Sequence, residues 1–244
     1  MNGLSTFPDD WQRALVVAAH PDDIEWGVSA AVAAWTDAGR TVQYLLVTRG
    51  EAGIAGRDPA EVGTIRATEQ RRAGAAVGVD DVVFLDFADG RIVEDLDLRR
   101  SIAGHIRSRR PDVVLAMSHA ERWGSAPGSP WNFADHRAVG RATIDAVYDA
   151  ANEWIFRELV GDEAAPWRTR HIAIASAAQA THVVTVTEDD VRRARASLLA
   201  HEQYLVGLGI DDVVDYVDGV VARATTLEDG GRGVAFELLP GPGG

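Results

Sequence analysis

Apolar positions along the chain fall into two patterns. Short, nearly continuous runs rich in Val, Ile and Leu occur at ALVVAA (14–19), VQYLLVT (42–48), VVFLDF (82–87), DVVLAM (112–117) and HIAIAS (171–176), with THVVTV (181–186) as a sixth. Runs apolar on both alternating faces are what strands buried on two sides require. Longer segments with helical spacing lie at 28–37, 60–77, 97–109, 135–151 and 188–205, each bounded by Gly, Pro or an acidic cap. Strand and helix alternate, which predicts an α/β fold: a Rossmann-like, mostly parallel sheet with helices on both faces.

No internal repeat or linker interrupts this pattern, so a single domain over 1–244 is expected, with the tail at 240–244 frayed. Two loops, 49–59 and 119–134, are long for a compact α/β unit and rich in Gly, the second also in Ser and Pro. Loops of that length inside compact domains tend to carry function.

Composition narrows the chemistry. With 244 residues, 46% hydrophobic and 25% charged, the chain is large enough for a sizeable core. A net charge of −13 repels phosphate backbones and anionic lipid, which argues against nucleic acid and membrane surfaces as partners. There is no cysteine, so thiol nucleophiles, disulfides, iron–sulfur clusters and Cys-type zinc sites are excluded. All 24 basic residues are arginine, which removes P-loop, kinase-type and Schiff-base lysines. The Gly-rich pieces GLGIDD and GGRGVAF do not follow a strand and open a helix, so dinucleotide binding has little support. The first ten residues are acidic rather than basic, and no run approaches the ~18 apolar residues that span a bilayer. A cytoplasmic protein is the expectation.

The densest chemistry lies where the first predicted strand ends, in AHPDDIE, which sets His20, Asp22, Asp23 and Glu25 within six residues. Ligand sites of doubly wound sheets form beyond the carboxyl ends of strands. Imidazole and carboxylate are good Zn²⁺ ligands, and Pro21 stiffens the turn so that His20 and Asp23 could converge on one ion while Asp22 faces it unbound. Pro-Asp-Asp is also ordinary turn chemistry, and either aspartate can cap the following helix. A third ligand is needed, and His136 in NFADHRAVG is best placed, opening a predicted helix after the long second loop. Taken alone, a histidine at a helix start is more often a surface residue than a ligand. Asp135 would cap that helix or orient an imidazole, and Glu25 would orient a ligand or cap a helix. Trp26, Trp123 and Trp131 lie beside these segments, suited to a sugar face or to plain packing.

AHPDDIE followed far downstream by ADHRAVG resembles the zinc-dependent N-acetylglucosaminyl deacetylase family, called PIG-L or LmbE-like. The resemblance covers roughly residues 14–206 in the order of strands and motifs. It implies a metal-dependent hydrolase that removes an acetyl or related acyl group from an N-acylated amino sugar or similar small conjugate. It implies Zn²⁺ as cofactor, held by His20, Asp23 and His136, with Asp22 as general base. Arg66 in RATEQRRAGAAVGV matches an arginine implicated in substrate binding, and Asp89 in FLDFADGRI matches a carboxylate that can hold sugar hydroxyls. One departure stands out: relatives commonly carry a histidine that assists the oxyanion or leaving group where this chain has Phe133. The resemblance leaves three ways round it: His182 or His119 takes that role, or Asp22 returns its proton unaided. Phe133 also motivates an alternative, a metal- or sugar-binding module of the same fold with weakened turnover. Substrate identity and any homo-oligomer are left open by the sequence.

Overall fold

The computed structural model describes residues 3–124, 126–159, 165–227 and 230–244. Its strands are β1 (Ser5–Thr6), β2 (Arg13–Ala18), β3 (Thr41–Leu46), β4 (Val82–Phe84), β5 (Val113–Ala116), β6 (His171–Ala175), β7 (His182–Thr185) and β8 (Gly233–Pro240). The helices are α1 (Ser29–Asp37), α2 (Pro59–Ala76), α3 (Leu96–Arg109), α4 (Ala134–Ala151), α5 (Glu188–Leu199), α6 (Glu202–Gly207) and α7 (Val213–Thr225). All eight strands form one sheet in the order β1-β7-β8-β6-β5-β2-β3-β4. Every pairing is parallel except the two made by β8, which runs antiparallel between β6 and β7.

Both faces of the central strands are covered, which explains their continuous apolar character. Ala14, Val16 and Ala18 of β2 face one core with α1, α5 and α7; Leu15 and Val17 face a second with α3 and α4. Side chains alternate across a strand, so one six-residue run feeds both layers. Burying each such Val or Leu contributes about 1.5–3 kcal/mol.

Three features depart from the sequence pattern. The predicted helix over 188–205 is two helices, because His201 leaves helical geometry (ψ 38°) and is fully buried. Residues beyond 206 add α7 and the antiparallel β8. The tail expected to fray is held instead: Gly241 and Gly243 donate N–H bonds to the carbonyls of Arg170 and Thr169 at 2.7 and 2.9 Å. Among the described residues no helix is long and apolar enough to cross a membrane.

The chain runs from β2 to β3 and β4 on one side, then returns to place β5 on the other side of β2. The carboxyl ends of β2 and β5 therefore flank a topological switch point, where such sheets open a crevice.

Candidate metal centre and its cavity

His20 and Asp23 follow β2 in a tight turn shaped by backbone hydrogen bonding. Asp23 Oδ2 accepts the N–H groups of Ala19 and His20 at 3.0 and 2.9 Å, which folds the chain back on itself. Asp22, at the corner, has φ +87°, a left-handed conformation that aspartate tolerates better than most residues but that still costs about 1 kcal/mol or more. Gln70 on α2 secures it by accepting the Asp22 N–H at 2.8 Å. His136 arrives from the other side of the switch point as the third residue of α4. The loop before it is anchored by buried Asn132, whose amide donates to the carbonyls of Ser118 and Ala120 at 2.9 Å each.

These elements bring three ligand atoms together. His20 Nδ1 lies 3.3 Å from His136 Nε2, His136 Nε2 lies 3.0 Å from Asp23 Oδ1, and His20 Nδ1 lies 3.7 Å from Asp23 Oδ2. A tetrahedral ion with bonds of about 2.0–2.1 Å would space its ligands about 3.3 Å apart. His20, Asp23 and His136 thus form a candidate metal-holding group. A second candidate group, His20 with Asp89 and Asp135, uses the other ring nitrogen. Those carboxylates are already committed. Asp135 accepts the N–H groups of Gly90 and Ile92, Asp89 accepts that of Ala52, and His20 Nε2 lies 3.1 Å from Asp135 and 3.0 Å from Asp89. They orient the His20 ring, as carboxylates commonly do behind a metal-binding imidazole.

The electrostatics agree. Burial opposes a charge on His20, yet hydrogen bonds to Asp135, Asp23 and Asp89 outweigh it and push the imidazole up to about 12. A position that holds a proton so firmly is one where the surroundings demand a cation. Asp23 is also fully enclosed, but the charge and hydrogen bonds of His136 and His20 drive its carboxyl well below the usual range. Its neighbour goes the other way: burial raises Asp22 to about 6, with the Arg66 charge resisting and the Asp23 charge assisting. Two adjacent carboxylates are thus set apart by their surroundings, one permanently anionic and one able to exchange a proton near neutral pH.

Asp22 Oδ1 accepts from Arg66 Nη2 at 2.8 Å, and Oδ2 accepts from the Trp26 indole. Arg66 is otherwise consumed by the protein. It donates to the carbonyls of Pro21 and Gly50 at 2.6 and 2.9 Å and lies 3.8 Å over the Tyr204 ring. Its slot exists because Gly50 (φ +64°) and Gly53 lack side chains; a Cβ at either would fall 2.2 or 2.3 Å from Nη1. At 2% exposure, Arg66 holds Asp22 and also lines the cavity described below.

The group opens into a cavity of about 750 Å³ within the range typical of small-molecule sites. Both long loops contribute to it, the first through Ala52 and Gly53, the second through Trp123 and Phe133. Phe133 and Trp123 meet the His136 ring edge-on, with centroids 5.3 and 5.5 Å away. Neither expected replacement histidine lines the cavity. His182 is the first residue of β7, four strands from β2 or roughly 19 Å at about 4.8 Å per strand. His119 is pinned over α4, where a Cβ on Gly140 would fall 2.9 Å from its own Cβ. Glu25 does not touch the ligands either. It points away, accepting from Gln70, Ser197 and His201.

Sequence reasoning missed Gln70, Tyr204 and Leu208. Gln70 had a signal, since it lies four residues from Arg66 and so shares its helix face. Tyr204 and Leu208 had none, because they reach the cavity only through the break after α5.

Residues 15–147 match the PIG-L family, described as GlcNAc-PI de-N-acetylase. The chain is similar to diacetylchitobiose deacetylase of Thermococcus kodakarensis, 32% identical over 141 residues, covering 57% of this chain and 50% of that protein. It is also similar to 1D-myo-inositol 2-acetamido-2-deoxy-alpha-D-glucopyranoside deacetylase of Kineococcus radiotolerans, 31% identical over 178 residues, covering 59% and 47%. The chain thus spans about half the length of these curated relatives. In fold it is similar to the N,N'-diacetylchitobiose deacetylase of Pyrococcus horikoshii, with a TM-score of 0.82 at 20% identity over 95% of this chain and 85% of that one. A family match over more than half of the 244 residues, joined to the geometry above, establishes that this chain belongs to the PIG-L family.

Proposed function

We propose that the protein is a metal-dependent N-deacetylase acting on an N-acetylated amino sugar or a related small conjugate. The observation that carries this reading is the convergence of His20 Nδ1, His136 Nε2 and an Asp23 oxygen beside a buried Asp22 with a raised pKa. The names of the similar proteins, two of them sugar deacetylases, support the substrate class.

His20, Asp23 and His136 would hold the ion, and two imidazoles with one carboxylate suit Zn²⁺. When bound, the ion supplies Lewis acidity that polarises an amide carbonyl and acidifies water. Asp135 and Asp89 fix the His20 ring so that Nδ1 faces the ion site. Asp22 takes the proton of the attacking water. Each of its oxygens accepts one protein hydrogen bond, and a carboxylate offers about four acceptor sites, so capacity remains on both. Arg66 and Trp26 keep that carboxylate fixed while its charge changes. An amine leaves only once protonated, and with Phe133 in the helper's place the same Asp22 returns the proton to nitrogen.

The test is acetate release from N,N'-diacetylchitobiose and N-acetylhexosamine conjugates by protein stripped with chelator and then reloaded with zinc. Stoichiometric metal with turnover that Asp22→Asn abolishes is expected. Stoichiometric metal without turnover would instead support the binding module that Phe133 suggests.

A further inference from the structure

On the deacetylase reading rests a narrower question: what the amino sugar carries. We propose that the cavity selects an uncharged amino sugar bearing an apolar aglycone and discriminates against aglycones that carry a carboxylate or phosphate.

The first observation concerns charge. The cavity wall contains Asp22, Asp23 and Asp89, with Asp135 directly behind His20. Beyond the two imidazoles of the metal group, Arg66 supplies the sole cationic side chain among the described residues of that wall. Its charge is paired with Asp22. Three of its five N–H groups are committed to Pro21, Gly50 and Asp22, and its Nε is buried without a partner. Arg122 and Arg137 lie nearby in sequence, but both rest on the Trp131 ring, at 5.1 and 5.3 Å, and donate to the carbonyls of Ser129 and Asn132. Neither forms part of the wall. The carboxylates are themselves paired, so an anionic aglycone would meet no free side-chain cation to replace its lost hydration, a loss of affinity.

The second observation concerns the mouth. Phe133 is 65% exposed and Leu208 is 46% exposed, and both line the cavity. The same wall includes Trp123, Met117 and Trp26, the last packed edge-on against Tyr216 at 5.7 Å. Exposed apolar surface that is contiguous with a concave site marks where an apolar group of a ligand is desolvated. Sugar faces also stack on aromatic rings, but sugar hydroxyls need polar partners, which Phe133, Leu208, Met117 and the faces of the tryptophan rings do not offer. An apolar ring attached to the sugar is what it fits.

The experiment uses the full chain loaded with zinc and three glycosides of N-acetylglucosamine that differ only in aglycone: benzyl, methyl and carboxymethyl. The benzyl glycoside should exceed the methyl glycoside in kcat/KM by about tenfold, the factor that 1.4 kcal/mol represents, and the carboxymethyl glycoside should fall below both. Leu208→Arg, an exposed position whose change spares the fold, should raise kcat/KM for the carboxymethyl glycoside by about tenfold and lower it for the benzyl one. A carboxymethyl glycoside that matches or exceeds the benzyl one in the unaltered protein overturns the proposal. Quenching of the cavity tryptophans ranks binding of the same three compounds independently of turnover. Absence of acetate release from all three, with the binding order as expected, would remove the deacetylase reading and leave the selectivity standing; a carboxymethyl glycoside that binds tightest would remove the selectivity.

Discussion

At the mouth of the cavity Phe133, at the end of the second long loop, and Leu208, capping α6, are both exposed to solvent, and the Phe133 ring meets His136 edge-on. Directly beneath the turn, Glu25, Gln70, Ser197 and His201 are fully enclosed and joined by hydrogen bonds that tie β2's turn to α2 and α5. The mouth is free to change without touching the fold, whereas the layer beneath sets the position of Asp22 through its backbone N–H on Gln70. Selection among ligands and the geometry of the chemistry are thus carried by different residues, and substitutions in the two regions should fail in different ways.

The largest effect expected is on turnover. Asp22→Asn removes the base and should lower kcat by about 10²–10⁴-fold. Metal content measured on the same sample should stay stoichiometric, because Asp22 is not among the ligand atoms. A loss of metal would place Asp22 among the ligands instead.

Glu25→Leu comes next and should act on stability rather than on substrate choice. It leaves buried His201 and Gln70 without their acceptor, and each buried donor left unsatisfied costs about 1–3 kcal/mol. Chemical denaturation reads the change, while the ratio of kcat/KM between benzyl and methyl glycosides should not move.

Asp135→Asn lies between the two regions. It weakens the hold on His20 Nε2 while keeping the side chain's shape, and should lower metal affinity by about 10–100-fold. Titration of stripped protein with zinc measures it, and excess metal should restore turnover.

Phe133→Ala should produce the smallest effect. At 65% exposure the ring contributes little to folding, so stability should change by no more than about 0.5 kcal/mol. The benzyl glycoside should lose its advantage over the methyl one, as read by KM. A large loss of stability would erase the distinction between mouth and floor.

Local signals were enough for part of the site. His20, Asp22 and Asp23 share one turn, and their chemistry was readable because the residues sit within four positions of one another. His136 was readable less directly, from a histidine that opens a helix after a long loop and from the resemblance that its motif carries. Arg66 was visible as a motif, but its role in holding Asp22 was not. That role depends on two glycines sixteen and thirteen positions away that leave room for its guanidinium, and on a tyrosine from α6. His182 was misplaced for the same reason in reverse: its position in the chain gives no hint that β8 and β6 stand between it and the centre of the sheet.

By itself the sequence determined the layered α/β class, because strands buried on both faces must be apolar throughout and helices between them must be periodic. It also determined which side chains could serve as ligands, since without cysteine or lysine the choice falls on histidine and carboxylate. The tertiary structure alone decided the antiparallel insertion of β8, the break at His201, and the opposite shifts of the Asp22 and Asp23 carboxyls, one raised and one lowered. Those outcomes depend on contacts between residues more than forty positions apart, such as Gln70 with Asp22 and His136 with Asp23. Charge and burial act through space, and adjacency along the chain does not encode them.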